Sequence, residues 1–251
     1  MTVPVSEERL AELAANLADV RARITDACAA AARDPAGVHL IAVTKTFPVS
    51  DVIGLTRLGV IDIGENKDQE AAPKVADCAA AGVTVRWHFV GQLQVNKAAS
   101  VATYATMIHS VDRTRLVAAL SRRAVAAGRT ISCLVQVNLD PAAAAGAADG
   151  SGAGASRGGA LPADVPALAA AIDAAAGLEL AGVMAVAPLG QPAGPAYARL
   201  RAISEMVQSA YPAAGVISAG MSGDLQDAVA EGATHVRIGT ALLGGRRSFV
   251  R

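Results

Sequence analysis

Short apolar runs rich in β-branched residues recur along the chain, and between them lie longer stretches in which apolar positions return every three or four residues. The runs fall at about 38–45, 60–64, 85–90, 106–111, 131–138, 178–186, 215–219 and 234–239. VHLIAVTK (38–45) is apolar on successive rather than alternate positions, which suits a strand covered on both faces. Helices are expected at 49–58, 67–80, 94–103, 113–127, 163–176, 195–210 and 222–231. Another helix, over 6–33, opens on Ser6 as N-cap and stops before Asp34 and Pro35. Strand and helix alternate throughout, so the chain is α/β. Eight such units in 251 residues match a closed barrel, and strand twist makes each crossover right-handed. The expected fold is therefore a single (β/α)8 TIM-type barrel with an extra N-terminal helix. An open doubly wound sheet is the alternative, but VTKTFPVSD stands after the first strand where G-x-G-x-x-G would be needed.

One segment breaks the rhythm. Residues 140–162 are Gly, Ala and Ser with almost no bulky side chain, too little apolar area to offset the entropy of ordering them. A flexible loop after the fifth strand is expected, within a single domain over 1–251, because the alternation resumes unchanged beyond it.

Composition removes several function classes. The apolar set is 53% of the chain and charged residues 18%, a balance that builds one large core and argues against disorder. Lys plus Arg and Asp plus Glu are each 22, so no basic surplus exists to neutralise phosphodiesters and no nucleic acid partner is expected. Mean hydropathy is high at +0.38, yet Ala carries much of it. No run reaches the ~18 uninterrupted apolar residues that a membrane helix needs. The opening MTVPVSEERLAEL is acidic where a secretory signal would be basic and then hydrophobic, so a cytoplasmic location is expected. Cys28, Cys78 and Cys133 lie far apart and without a His at ligand spacing, as buried reduced thiols would.

In a barrel of this kind chemistry gathers at the carboxyl ends of the strands. Those positions are polar: Thr44 and Lys45, Glu65 and Asn66, His88 and Gln92, His109 and Ser110, Gln136 and Asn138, Ser218, then Arg237 with Gly239 and Thr240. Period-2 alternation puts Lys45 on the face of Ile41 and Val43, towards the barrel mouth, where desolvation would favour the neutral, imine-forming amine. A rim lysine snorkelling to solvent fits that residue alone equally well. Gly239 and Thr240 follow the eighth strand, and Ser218, Gly220 and Ser222 follow the seventh, the two turns that commonly hold a phosphate in barrels. Tight connections would use the same glycines. Arg237 shares an inward face with His235 and Gly239, and a buried guanidinium there could donate to a heteroaromatic ring nitrogen. Such a contact keeps a pyridine nitrogen unprotonated and weakens the ring as an electron sink.

The ordered set AVTKTFP (42–48), GENKDQE (64–70), WHFVGQLQVNK (87–97), HSVD (109–112), QVN (136–138), GMSGDL (220–225) and VRIGTALLG (236–244) closely resembles the pyridoxal phosphate homeostasis protein family. The resemblance runs over nearly the whole chain from residue 38. It implies a barrel like that of alanine racemase, pyridoxal 5′-phosphate as cofactor, and an intracellular carrier or buffer role without established catalysis. By the same resemblance Lys45 would hold the cofactor as a Schiff base and Asn66 would lie near its ring. Ser218, Gly239 and Thr240 would receive the phosphate, and Arg237 would face the pyridine nitrogen. His88, Gln94, Asn96 and Lys97 match the family signature without an assigned role. Lys67 and Asp68 stand where many relatives have Tyr-Val, and Arg157-Gly158-Gly159 stands for a Lys-x-Gly.

Two other functions compete with a carrier. One is a racemase-like enzyme using Lys45 on one face of an amino acid; against it, Tyr104, Tyr197 and Tyr211 all fall in or beside expected helices. The other is a cofactor-free aldolase acting through a lysine imine. Partners would be the cofactor and pyridoxal phosphate-dependent apoenzymes, and the expected state is a monomer.

Overall fold

The computed structural model describes residues 5–140 and 158–245. Eight parallel strands close on themselves in sequence order, each paired with the next and the last with the first. They are β1 (His39–Val43), β2 (Asp62–Glu65), β3 (Arg86–Phe89), β4 (Met107–Val111), β5 (Ile131–Gln136), β6 (Leu178–Met184), β7 (Val216–Ser218) and β8 (His235–Ile238). Around them run α1 (Glu7–Ala30), α2 (Val49–Arg57), α3 (Asp68–Ala80), α4 (Ala98–Tyr104), α5 (Thr114–Ala126), α6 (Val165–Asp173), α7 (Ala193–Ala210), α8 (Leu225–Ala230) and α9 (Thr240–Leu243). The α/β barrel with its extra N-terminal helix is therefore the observed fold.

α1 forms where expected, with Ser6 Oγ accepting from the Arg9 amide at 3.2 Å. It packs on α2, α8 and α9. α9 has only four residues, so α1 supplies the apolar cover that an eighth long helix would give, burying Leu13, Leu17, Val20 and Ile24. Its polar side chains do a second job. Arg9 Nη2 donates to the Leu243 carbonyl at 2.9 Å, Asn16 to the Leu242 carbonyl at 3.0 Å and Arg23 to the Ser222 carbonyl at 2.6 Å. Both turns after β7 and β8 are thus tied to one helix.

The main core lies between strands and helices and takes the outward residues Ala42, Ile63, Trp87, Phe89, Cys133 and Val236. The inward side of β5 and β6 forms a small separate apolar cluster of Leu134, Ala181 and Met184. The three cysteines are free and buried, and burial pushes the Cys133 thiol up to about 12.

One helix start needs correction, and one loop is described only at its ends. α8 starts at Leu225 rather than 222, because Asp224 is used to close the preceding turn: its Oδ1 accepts from the Met221 amide at 2.5 Å. Most of the loop expected at 140–162, with Arg157, lies outside the described residues. Its end is not loose, however. Ala160 is buried and bridges to Val137, and the Gly158 carbonyl accepts from Gln136 Nε2 at 2.5 Å.

Candidate functional site

β1 ends at Val43, and Lys45 follows in a turn, half-buried at the mouth. Both of its neighbours are pinned. On one side Thr44 Oγ1 donates to Glu65 Oε1 at 2.6 Å, and Lys74 Nζ reaches the Thr44 carbonyl at 2.9 Å and Glu65 Oε1 at 2.5 Å. On the other side Thr46 holds φ +67, and its amide donates to Glu70 Oε2 at 2.9 Å. A left-handed threonine is costly unless its surroundings fix it, so this turn is held against strain on both sides of the lysine. Lys45 itself has no hydrogen bond or ion pair among the described residues.

Asn66 follows β2 on the same rim, since Gly64 pairs with Val43. Its carbonyl lies against Gly91, where an added Cβ would come within 2.1 Å of the oxygen, so the β3 loop can approach only as glycine. Asn66 Oδ1 is buried and has no hydrogen-bond partner among the described residues.

Gly239 caps α9, and an added Cβ there would sit 3.3 Å from the Val43 carbonyl, which brings the β8 turn beside the lysine turn. The amides of Gly239 and Thr240 have no intrahelical acceptor at this helix start. Ala241 N donates to Ser222 Oγ at 3.3 Å and joins the two turns. The β7 turn is fixed by Tyr197, whose hydroxyl donates to Asp224 Oδ2 at 2.7 Å and accepts from the Gly220 amide at 3.3 Å. Gly220 has φ +89, a conformation that favours glycine. Burial, with Asp224 adding, pushes the Tyr197 hydroxyl well up, so it stays protonated.

Arg237 lies inside the barrel, 4% exposed, with Nη1 donating to Ser218 Oγ at 2.6 Å and Nη2 to the Ala185 carbonyl at 2.8 Å. Burial pulls its guanidinium down from the ordinary value. No carboxylate forms an ion pair with it among the described residues. A buried cation left in that state calls for an acceptor.

The structure thus brings Lys45, Asn66, Gly239 and Thr240 to one rim with Arg237 below. Ser218 is placed differently: it is fully buried, and Oγ is engaged by Arg237 and by His109 Nδ1 at 2.9 Å. Ser222, which the sequence singles out only as part of the same turn, is the hydroxyl that faces α9. His88 and His109, read as strand-end residues, lie buried within β3 and β4. Sequence reading missed Lys74, Glu70 and Asp224, whose helix or loop positions carry no barrel-mouth periodicity, and it placed Glu65 at the end of β2 without its bond to Lys74.

The model of the family described as "Alanine racemase, N-terminal domain" matches residues 9–247. The chain is 41% identical over 254 residues to the pyridoxal phosphate homeostasis protein of Mycobacterium bovis, covering 96% of this chain and 95% of the relative. The Escherichia coli K12 protein of the same name is 34% identical over 244 residues, covering 94% and 97%. Among solved structures, PipY of Synechococcus elongatus with pyridoxal phosphate bound is 32% identical, with a TM-score of 0.77, covering 92% of this chain and 100% of PipY. No helix of the described residues is long and apolar enough to cross a membrane.

Proposed function

Since this chain belongs to the pyridoxal phosphate homeostasis proteins, within the family of the alanine racemase N-terminal domain, we propose that it binds pyridoxal 5′-phosphate reversibly, with Lys45 as the Schiff-base lysine, and carries or buffers it in the cytoplasm. The observation that carries the reading is Arg237, a buried cation facing the mouth with no carboxylate paired to it among the described residues. Of its five N–H donors the bonds to Ser218 and Ala185 use two, so others remain for a ring nitrogen. The orphaned Asn66 Oδ1 adds a buried acceptor on the rim. Both suit the group.

The cofactor supplies an aldehyde that condenses with a primary amine and a phosphate dianion that needs donors. Lys45 offers the amine from a turn fixed at Thr44 and Thr46. Gly239 and Thr240 offer amides at the α9 start, and Ser222 rather than Ser218 offers the hydroxyl, because Ser218 Oγ is already shared by Arg237 and His109. Arg237 donates a hydrogen bond without transferring its proton, which keeps the ring nitrogen unprotonated and restrains carbanion chemistry. For racemisation a second acid or base would be needed opposite Lys45. Tyr197 is held by Asp224 and Gly220, and Tyr104 Oη donates to Asp68 at 3.3 Å, which leaves neither hydroxyl for that work. Delivery to pyridoxal phosphate-dependent apoenzymes, by the protein as a monomer, completes the proposal.

The test is the visible spectrum of purified protein incubated with pyridoxal 5′-phosphate. The wild type is expected to gain a visible imine band, and Lys45→Ala is expected to lack it while keeping the wild-type melting temperature. A band of normal intensity in Lys45→Ala would overturn the assignment.

A further inference from the structure

Below the mouth, a continuous line of hydrogen-bonded side chains crosses the barrel interior. It starts at Arg237 Nη1, which donates to Ser218 Oγ at 2.6 Å. Ser218 Oγ lies 2.9 Å from His109 Nδ1, His109 Nε2 lies 2.9 Å from His88 Nδ1, and His88 Nε2 lies 2.9 Å from Asp62 Oδ1. Asp62 opens β2 at the opposite end of the barrel, where Arg86 pairs with both of its oxygens. Period-2 alternation makes the line possible, because residues 62, 88, 109, 218 and 237 all point inward from five different strands.

The two ends fix its direction. A guanidinium can only donate, and an ionised carboxylate can only accept. Burial pushes the Asp62 carboxyl up, but the hydrogen bonds from His88 and Arg86 outweigh it and hold it well below the ordinary carboxylate range. His88 must therefore donate from Nε2. With both imidazoles neutral, every proton then points the same way: Arg237 to Ser218, Ser218 to His109 Nδ1, His109 Nε2 to His88 Nδ1, His88 Nε2 to Asp62. A proton added to His88 would reverse the two middle bonds, give Ser218 two donors and leave its own proton without an acceptor in the line. It would also place a second cation in the barrel that already buries Arg237.

We propose that His109 and His88, acting through Ser218, are positioning residues for Arg237, and that Asp62 anchors the far end of the line by accepting from His88. The line holds one edge of the guanidinium against Ser218, and Ala185 holds Nη2, so the remaining donors are presented upward in a single orientation. It rests on the reading of Arg237 as the partner of the cofactor ring. His109, His88 and Asp62 lie below the mouth, and their effect on the ligand is exerted only through Ser218 and Arg237.

The first measurement uses the unliganded protein labelled with 15N-histidine; the chain has four histidines, so the ring nitrogens can be assigned by single substitutions. At pH 7.5 His88 and His109 are both expected as neutral Nε2–H tautomers. A Nδ1–H or cationic His109 in the wild type would overturn the polarity of the line. The second measurement is pyridoxal 5′-phosphate affinity and visible spectrum in Asp62→Ala, Asp62→Asn and Arg86→Ala. Asp62→Ala is expected to weaken binding about fivefold to tenfold, the scale of one hydrogen bond, and to shift the visible band. Asp62→Asn, whose amide oxygen can still accept from His88, restores most of the affinity, and Arg86→Ala, which removes the other partner of the carboxylate but leaves the bond from His88, weakens binding less than Asp62→Ala does. Wild-type affinity and an unaltered band in a folded Asp62→Ala would overturn the positioning role while leaving the reading of Lys45 intact. Failure of the wild type itself to take up the ligand would instead sink that reading, and the positioning role with it.

Discussion

Lys74 neutralises the Glu65 carboxylate and, through the Thr44 carbonyl, braces the turn that carries Lys45. The side chains are 8% and 1% exposed, so neither charge has water to fall back on. Removing one member of a buried pair leaves the other uncompensated, which costs about 3–5 kcal/mol. Lys74→Met is expected to lower unfolding free energy by that amount in chemical denaturation, and Lys74→Met with Glu65→Gln to recover part of it. A single variant as stable as the wild type would show that the pair does not carry the turn. Arg237 was legible in the sequence as an inward position of a clear strand, whereas Lys45 was legible only as the residue just beyond one, because β1 stops at Val43 and strand alternation does not reach the turn. Ser218 was legible as a strand-end residue but not as one engaged from inside the barrel: its contact with His109 spans more than a hundred positions, and no local pattern records it.

At the scale of elements, all eight strands lie where apolar runs mark them, with ends moved by no more than two residues: most are trimmed, and β2 runs one residue further, to Glu65. The trimming has a physical cause, since parallel pairing stops where the chain must turn towards a helix, as it does at Thr44 and at Gly239. α8 was misjudged at its start because the pattern cannot show that Asp224 spends its carboxylate on the turn. The register between β5 and β6 shifts beside Cys133 and Leu134, opposite Gly182. Gly182 holds φ +147, and an added Cβ would stand 2.0 Å from the Val216 carbonyl of β7. Strain and overpacking each add about 1–3 kcal/mol, so Gly182→Ala is expected to destabilise the barrel by roughly 2–6 kcal/mol in urea titration. A loss under ~1 kcal/mol would mean that β6 and β7 can part without cost.

For the whole molecule, the barrel buries neutral imidazoles. Desolvation, with His88, Arg237 and His235 adding, holds His109 well below its ordinary value. Desolvation followed by His39, His88 and Arg86, against Asp62, lowers His235 to about 4. An unfolded chain binds a proton at each site from pH ~6.5 downward, while the folded chain does not. The unfolded state therefore holds more protons in this window, and stability rises with pH across it. Unfolding free energy is expected to fall between pH 6.5 and about 4, by up to ~1.4 kcal/mol per pH unit for each such histidine. A flat profile over that range would place these side chains in water.

The account turns on which amine meets the cofactor. Borohydride reduction of the wild-type protein with pyridoxal 5′-phosphate, followed by peptide mass spectrometry, reads ligand and attachment point together. One phosphopyridoxyl group on Lys45 is the predicted result, whereas an adduct confined to Lys74 or Lys97, or no adduct at all, would contradict it.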